Sequence, residues 1–388
     1  MVFAPYVLPG ETARLRLVEE KRGYARAQLV EILQPDARRA TPRCMHFGEC
    51  GGCHYQHMSY EMQLSAKEMI LRDQLERIGG MSDPPIRAIA PSSRPFGYRN
   101  HVQFHLSPEG KLGYHRERSE EVIAIQECHL PEPPLDRIWP QLDFEATTKI
   151  ERIGLRLGKD EDVQIILESN HAEAPEIIVE ELPVSVVHLS PAGTLVLAGS
   201  PSVEMQVLDR GFRVSGGSFF QVNTKVAEAM VQHLLDELQA RRFLDGKKVF
   251  LDLYCGVGLF SAFVAPYAGQ VIGVESSPSA AEDFEVNLDE FDHVVLYEAP
   301  VEWALPAIDA HPDVIIVDPP RSGLERKALD ALMKMGASLI VYVSCDPATL
   351  ARDARRFFAA GYRMEKITPF DMFPQTYHIE SISFWTLQ

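Results

Sequence analysis

The residue best suited to covalent chemistry in this chain is Cys345, within residues 343–347 (VSCDP). It follows an apolar stretch, residues 339–343, and precedes a proline typical of a helix start, which is where nucleotide-binding folds present reactive groups. Cysteine suits attack on an electron-poor ring because part of its thiol is ionised at neutral pH. The alternative is an inert core thiol, since free cysteine is among the most buried residue types.

A second group of residues is typical of a cofactor site. Residues 252–258 (DLYCGVG) lie between a predicted strand and a predicted helix, and Gly256 allows backbone amides to approach a ligand. Glu275 ends the next strand 19 residues after Gly256, where a carboxylate can accept ribose hydroxyls. Ser261 replaces the third glycine of the dinucleotide fingerprint, and Asp252 suits a cationic amino-acid group. The turn therefore favours S-adenosylmethionine over a nicotinamide cofactor.

A third motif, residues 318–321 (DPPR), closes another predicted strand 27 residues before Cys345. The two prolines fix a rigid turn that would direct Asp318 into the crevice at the carboxyl edge of a parallel sheet. The alternative is that the prolines only terminate the strand.

Four further cysteines could hold a metal centre: Cys44, Cys50, Cys53 and Cys128. Close spacing with intervening glycines lets the backbone wrap an iron–sulfur cluster, and a remote fourth ligand can complete it. Four thiolates suit tetrahedral zinc equally well, although the spacing between the first two cysteines leans toward iron–sulfur. Three histidines nearby are predicted to be polar surface residues: His46, His54 and His57.

The elements that must position these groups divide the chain into three predicted regions. Residues 1–42 alternate as short strands, too few for a closed barrel, and residues 43–214 contain the cysteines, a helix over 60–78 and further strands. Residues 215–388 alternate buried strands with helices, which predicts a Rossmann-like parallel sheet. The fold class is therefore α/β, with a mixed α+β central domain and an incomplete N-terminal β module.

Bulk composition narrows the class of protein. The chain has 388 residues, 46% hydrophobic and 24% charged, and no apolar run approaches the roughly 20 residues that span a bilayer. The N-terminal residues lack a signal-peptide pattern, so we expect a cytoplasmic protein whose cysteines are reduced. A net charge of −17 argues against non-specific nucleic-acid binding, although basic residues cluster before residue 44.

Together these residues resemble the RNA uracil-C5 methyltransferases, and the resemblance covers nearly the whole chain. It implies S-adenosylmethionine and a [4Fe-4S] cluster as cofactors, with Cys44, Cys50, Cys53 and Cys128 as the cluster ligands. It implies that Cys345 is the nucleophile and that Glu380, in residues 378–380 (HIE), is the base. It also implies these cofactor-binding residues: Gln221, Tyr254, Gly256, Glu275 and Asp318.

The sequence departs from the family pattern at three places: Leu259, Asp346 and residues 1–42. Leu259 stands where some members have an asparagine that touches the cofactor, and Asp346 replaces the usual asparagine after the nucleophile. A carboxylate at position 346 would raise the pKa of the thiol unless it is paired. Residues 1–42 are similar to the later part of the RNA-binding TRAM barrel, an OB-like module, without its first strands.

The resemblance implies a monomeric enzyme that makes 5-methyluridine in RNA through a covalent bond between Cys345 and carbon 6 of uracil. The target base must leave its stack, and Arg99 and Asn100, with Phe104 nearby, are candidates for holding the RNA; an ordinary strand is an equal alternative there. We expect 23S ribosomal RNA as the substrate, with transfer RNA as the alternative. The less favoured alternatives are a protein methyltransferase and a non-catalytic iron–sulfur RNA-binding protein.

Overall fold

The N-terminal strands form a small sheet of their own. The structure is a computed structural model that describes residues 1–145, 147–179 and 182–388. The sheet has the order β1-β3-β2, with β1 parallel to β3 and β2 antiparallel to it. Its strands are β1 (Val2–Phe3), β2 (Thr12–Lys21) and β3 (Tyr24–Gln34). Most of its side chains are exposed, so this sheet has little core of its own.

A long loop and helix α1 (Tyr60–Arg77) follow this sheet. Ser59 caps the helix, since its side chain accepts a hydrogen bond from the amide of Met62. The predicted helix over 60–78 is therefore confirmed. Its buried Leu71 and Leu75 belong to the core of the C-terminal sheet, and the helix contacts α8 (Pro347–Ala359).

The central sheet contains seven strands among the described residues, in the order β10-β9-β8-β7-β4-β5-β6. Neighbouring strands are antiparallel except for β8 and β9, which are parallel. Its elements are β4 (His101–Leu106), β5 (Leu112–His115), β6 (Val122–Ala124), α2 (Pro133–Ile138), β7 (Arg152–Leu157), β8 (Val163–Glu168), β9 (Val184–Ser190) and β10 (Gly193–Ala198). A separate core lies between this sheet and α2.

The C-terminal sheet also has seven strands in the described part of the chain, in the order β15-β14-β13-β16-β17-β19-β18. A separate hairpin and a helix come first along the chain: β11 (Ser202–Val207), β12 (Arg210–Ser215) and α3 (Thr224–Ala240). The strands of the sheet and the helices between them are β13 (Val249–Leu253), α4 (Leu259–Val264), β14 (Gln270–Glu275), α5 (Pro278–Asn287), β15 (Val294–Glu298), α6 (Val301–Ala304), β16 (Val314–Val317), α7 (Arg326–Met335), β17 (Leu339–Ser344), α8, β18 (Tyr362–Phe370) and β19 (Glu380–Leu387).

This arrangement confirms the predicted fold class. The first five strands of the order are parallel, and β19 runs antiparallel to both of its neighbours. Strands β16 and β17 are buried on both faces, which explains their uninterrupted apolar sequences. One core cluster lies on each face of the sheet. The first of them includes the hairpin β11–β12, so packing continues across the boundary predicted at residue 214.

Within the described residues, no helix is both long enough and apolar enough to cross a membrane. The TRAM-like character of the N-terminal sheet and the three domain boundaries remain predictions.

Candidate active site

The predicted cofactor turn lies at the carboxyl end of β13. Tyr254, Gly256 and Gly258 all have positive φ angles, of 61°, 55° and 90°. A Cβ atom on Gly258 would lie 2.5 Å from Leu288 Cδ1, so only glycine fits where the chain enters α4. The turn leaves the start of α4 facing the sheet edge, where backbone amides can meet a ligand.

Glu275 is held across this turn by backbone amides. Its Oε2 accepts a hydrogen bond from the amide of Gly256 at 2.9 Å, and its Oε1 accepts bonds from Ser276 and Ser277 at 2.7 Å each. These bonds connect the end of β14 to the turn after β13. They fix the orientation of the carboxylate, which remains half-buried at the sheet edge.

Two carboxyl groups lie near the turn: Asp252, buried on β13, and Asp318, half-buried just after the neighbouring β16. Asp252 Oδ2 accepts a hydrogen bond from Ser261 Oγ at 2.6 Å, while its buried Oδ1 has no hydrogen-bond partner among the described residues. Burial raises the pKa of Asp252 to about 7. Burial and the nearby Asp252 also raise the pKa of Asp318 to about 7. Such a pair favours a cationic ligand group, which would offset the charge of both carboxylates.

Cys345 and Glu380 meet at the same edge. Ser344, the last residue of β17, pairs with Ser381 of the antiparallel β19, so Cys345 and Glu380 come next to each other at the strand ends. Burial raises the pKa of Glu380 well above its usual value, and Asp318 raises it further while Arg321 opposes the shift. The structure therefore brings together the predicted nucleophile, the predicted base and the DPPR turn.

The thiol of Cys345 is half-buried and not covered by the core. Burial, followed by the charges of Glu380 and Asp318, raises its pKa to about 12. These surroundings oppose ionisation of the thiol, contrary to the expectation from the sequence that part of it is ionised at neutral pH. Attack on a ring therefore requires a base or a ligand charge that changes them.

Asp346 does not act on the thiol as an unpaired carboxylate. It caps α8, and its Oδ1 accepts hydrogen bonds from the amides of Ala348 and Thr349 at 2.9 Å each. Aspartate is a favoured cap because a carboxylate satisfies amides at a positive helix end. The condition stated from the sequence, that this carboxylate be paired, is met.

Helix α8 also holds the DPPR turn. Asp353 Oδ2 accepts bonds from the amide of Leu324 at 3.0 Å and from the hydroxyl of Tyr342 at 2.9 Å. Arg352 Nη2 donates to the carbonyl of Ser322 at 2.9 Å. These residues position the segment that follows Asp318. Nothing in the sequence near Arg352 and Asp353 indicates this role.

Gln221 lies on a segment that the central sheet anchors. Buried Arg156 of β7 donates to the carbonyls of Ser215 and Ser218 at 2.6 Å each. Asn100 Nδ2 donates to the carbonyl of Gln221 at 2.9 Å. Asn100 is thus buried in a contact between regions and is not free to hold RNA, and Phe104 is a fully buried core residue. Both predictions of RNA contact are wrong.

The four clustered cysteines lie in two segments of the chain. Cys44, Cys50 and Cys53 lie in residues 44–58, here called the cysteine loop, and Cys128 follows β6. Burial raises the pKa of Cys53 to about 12 and of Cys128 to about 11, and each is raised further by a neighbouring thiol of the group. All four are free thiols. Even so, no three His, Cys, Asp or Glu side chains in the described ranges are grouped so as to hold a metal ion.

The histidines of the cysteine loop are less exposed than predicted. His57 is only 4% exposed and packs against Tyr6 and Phe47, and His54 is half-buried against Tyr377. The prediction of a polar surface role is therefore wrong for His57, because the N-terminal residues cover it.

Helix α1 and the cysteine loop hold the chain that leads to Glu380. The amides of His54 and Tyr55 both donate to the carbonyl of Gln375, at 2.7 and 3.0 Å. Lys67 Nζ donates to the carbonyl of Phe373 at 3.0 Å and forms a fully buried ion pair with Asp371. Residues 371–379, the β18–β19 loop, are therefore fixed by contacts from far along the chain.

Replacing Lys67 by alanine should destabilise the protein strongly. The buried Asp371 would lose its counter-ion, which costs on the order of 3–5 kcal/mol and, for a chain of 388 residues, corresponds to a fall of roughly 4–6 °C in the thermal midpoint. Lys111→Ala is the matched control, because the Lys111–Asp143 pair is exposed, with side chains 64% and 84% accessible. Equal midpoints for the two variants in a thermal unfolding experiment would show that the buried pair does not fix this loop.

Comparisons with known proteins agree with this fold. The family described as tRNA (Uracil-5-)-methyltransferase matches residues 132–297 and 308–386. RNA methyltransferases of uncharacterised specificity from Thermosynechococcus vestitus and Aquifex aeolicus are each 34% identical to this chain. The first alignment covers 100% of this chain and 93% of the relative, and the second covers 98% and 92%.

A solved structure shows the same fold. The Pyrococcus abyssi tRNA (uracil-54, C5)-methyltransferase in complex with S-adenosyl-L-homocysteine superposes with a TM-score of 0.75 at 24% identity, over 99% of this chain and 95% of that one. The C-terminal domain is thus a class I methyltransferase fold. The chain belongs to the RNA uracil-5 methyltransferase family and is an RNA methyltransferase.

Proposed function

We propose that this protein uses S-adenosylmethionine to methylate carbon 5 of a uracil in RNA, through a covalent adduct between Cys345 and carbon 6. The observation that carries the proposal is the meeting of Cys345, Glu380 and Asp318 where β16 and β17 end and the antiparallel β19 begins. Ligands of open α/β sheets bind at this edge. A protein methyltransferase would not need the thiol there.

The residues around the turn fit the proposed cofactor. Asp252 Oδ1 is buried without a protein partner in the described ranges, and a ligand ammonium group could donate to it. Glu275 is oriented at the end of β14, where ribose hydroxyls are bound in such folds. We propose that Tyr254, Gly256, Asp318 and Gln221 complete the cofactor site. When bound, S-adenosylmethionine supplies an electrophilic methyl group.

The protein residues perform the remaining steps. The thiol of Cys345 first loses its proton, and Asp318, whose charge acts on this thiol, is the proposed acceptor. The thiolate adds to carbon 6, and the ring electrons move to carbon 5, which can then take the methyl group. Glu380 removes the proton from carbon 5. The electrons of that bond restore the ring double bond and expel Cys345 as a thiolate.

The raised pKa of Glu380 suits its role as a base. A carboxylate with a high pKa binds a proton strongly once it is ionised, and burial keeps water away from the adduct. Its position on β19 is fixed on both sides, since β19 pairs with β17 and with β18. The carboxyl group therefore has little freedom to move away from the thiol.

We propose 23S ribosomal RNA as the substrate, because the four clustered cysteines are similar to those of the ribosomal members of the family. Transfer RNA is the second candidate, favoured by the family description and by the substrate of the Pyrococcus abyssi enzyme. Mapping 5-methyluridine in both RNAs from cells with and without the gene tests the proposal. A single site lost from 23S RNA is the expected result, whereas loss from transfer RNA would favour the alternative. No lost site in either RNA would contradict the proposed activity.

We further propose that Cys44, Cys50, Cys53 and Cys128 bind a [4Fe-4S] cluster. What supports this is the donor set: four free thiols from two distant segments, close enough to raise one another's pKa. The cluster would join the cysteine loop to the chain after β6. We propose a structural role for the cluster, because the cysteine loop that it would hold contacts Gln375 of the β18–β19 loop.

Removing one thiolate should remove the cluster. We expect anaerobically purified protein to contain about four iron and four sulfide per chain with broad visible absorbance, and Cys53→Ser to lose most of both. Lys111→Ala, which removes only an exposed side chain paired with Asp143, should keep the full complement. One zinc per chain, or metal-free wild-type protein, would contradict the iron–sulfur assignment.

A further inference from the structure

A large cavity lies beside the active site and has no role in the mechanism above. Its volume is about 920 Å³, within the range of ligand sites, and it is bordered by the N-terminal residues, the cysteine loop, the β5–β6 hairpin and the β18–β19 loop. Its wall is rich in flat rings: Tyr6, His54, Tyr55, His57, Tyr377 and His378. Such a wall can contact planar ligand groups on several sides.

Tyr377 is the ring best placed to receive a ligand. Its centroid lies 4.5 Å from that of His54 and 4.4 Å from that of His378, with interplanar angles of 63° and 61°. These two neighbours hold the ring edge-on, yet the residue remains 50% exposed. An aromatic ring that is fixed and half-exposed loses little entropy when another ring stacks on it.

The cavity wall is joined to the reacting groups through the contact between His378 and Arg321. His378 follows Tyr377, and its Nε2 lies 2.9 Å from Arg321 Nη2. The charge of Arg321 acts on both Cys345 and Glu380, where it opposes the rise in pKa that burial causes. A strand whose target base reached Cys345 would therefore have its next nucleotides at this cavity.

The charges of the wall favour stacking over phosphate binding. Arg116 pairs with Glu121 at 3.1 Å and with Glu49 at 3.7 Å, and Arg118 pairs with Glu117 at 3.4 Å. These arginines are already neutralised, and the whole chain carries a net charge of −17. Proteins that hold single strands on aromatic rings bind through the bases, which all have a π-face.

We propose that this cavity binds a nucleotide of single-stranded RNA next to the target uridine, with its base stacked on Tyr377. This inference rests on the proposed function, because it assumes that the target base enters at Cys345. Extruding the target leaves its neighbours unstacked, and a ring at this position replaces part of the lost stacking.

The test measures binding of two fluorescein-labelled probes by anisotropy. One is a seven-residue oligouridylate, and the other has abasic residues on both sides of its central uridine. Wild-type protein should bind the abasic probe about 5- to 150-fold more weakly, the range expected for one stacked base. Tyr377→Ala should bind the intact probe as weakly as the wild type binds the abasic probe. Its affinity for the abasic probe should be only slightly lower than its affinity for the intact one.

Two variants serve as controls. Tyr377→Phe keeps the ring and should bind both probes as the wild type does. Tyr267→Ala removes a ring of equal exposure, 49%, in the C-terminal domain away from the cavity, and should also behave as the wild type. All variants should bind S-adenosylhomocysteine equally well, which shows that the methyltransferase domain is folded.

The outcomes separate this inference from the proposed function. If wild-type protein methylates RNA but Tyr377→Ala binds both probes as the wild type does, the stacking site is wrong and the activity stands. If Tyr377→Phe binds as weakly as Tyr377→Ala, the hydroxyl and not the ring makes the contact, which also overturns the inference. Wild-type protein that binds neither probe and transfers no methyl group contradicts both proposals.

Discussion

Cys345→Ala is expected to show no measurable methyl transfer, a loss of more than about 10⁴-fold, while S-adenosylhomocysteine binding stays within about twofold. Without addition at carbon 6, carbon 5 of uracil lacks the electron density to take a methyl group. The side chain is half-buried and belongs to none of the core clusters, so its truncation should leave the fold intact. The measurement is incorporation of labelled methyl groups into RNA from cells lacking the gene.

Cys345→Ser is the matched control for shape. The hydroxyl nearly preserves the size of the side chain but is a far weaker nucleophile, so this variant should be as inactive as the alanine variant. Equal thermal midpoints for both variants and the wild type would exclude misfolding as the cause. Methylation persisting above about one hundredth of the wild-type rate in either variant would contradict the covalent mechanism.

Glu380→Gln is expected to accumulate a covalent complex between protein and RNA and to lower turnover by about 10²- to 10⁴-fold. The amide cannot take the proton from carbon 5, so elimination of Cys345 stops. Adduct formation itself should not slow, because Glu380 raises the pKa of the thiol and its removal makes ionisation easier. Denaturing gel electrophoresis of protein with labelled RNA measures the adduct.

Glu298→Gln provides the control for the loss of a carboxylate at the same sheet edge. Glu298 ends β15 and is exposed, so this variant should turn over normally and accumulate no adduct. If Glu380→Gln turns over at the wild-type rate without an adduct, another group removes the proton. If it loses adduct formation as well as turnover, Glu380 acts before the addition and not after it.

The parallel sheet could be predicted because its strands have unambiguous sequences. β16 and β17 are continuous apolar runs between turn residues, and helices separate them from the other strands. The cofactor turn at residues 252–258 could also be predicted, because its glycines mark it in the sequence. In the structure a side chain at Gly258 would collide with Leu288. Local sequence determines these features, and the structure agrees with them.

Contacts between distant residues could not be predicted in the same way. Lys67 and Asp371 are 304 residues apart, and nothing in the sequence near either one indicates a buried pair. The same is true of Asn100, which resembles a surface residue until its contact with Gln221 is seen. The covering of His57 by Tyr6 depends on how the N-terminal sheet lies against the cysteine loop.

The electrostatics of the site also depend on the assembled fold. The sequence showed a cysteine before a helix start, which usually lowers the pKa of a thiol. In the structure Asp346 occupies that helix end, and β19 brings the carboxyl group of Glu380 beside the thiol from 35 residues downstream. The neighbours of Cys345 therefore determine its ionisation, and only the β17–β19 pairing reveals them.

The most direct test of the account is to trap the bond between Cys345 and the base. Wild-type protein is incubated with S-adenosylmethionine and RNA containing 5-fluorouridine, and the nuclease- and protease-treated adduct is sequenced by mass spectrometry. Fluorine at carbon 5 cannot leave as a proton does, so Glu380 cannot complete the reaction. The account predicts a methylated fluorouracil nucleotide attached to Cys345. Methylated RNA without any adduct, or an adduct on another residue, would contradict it.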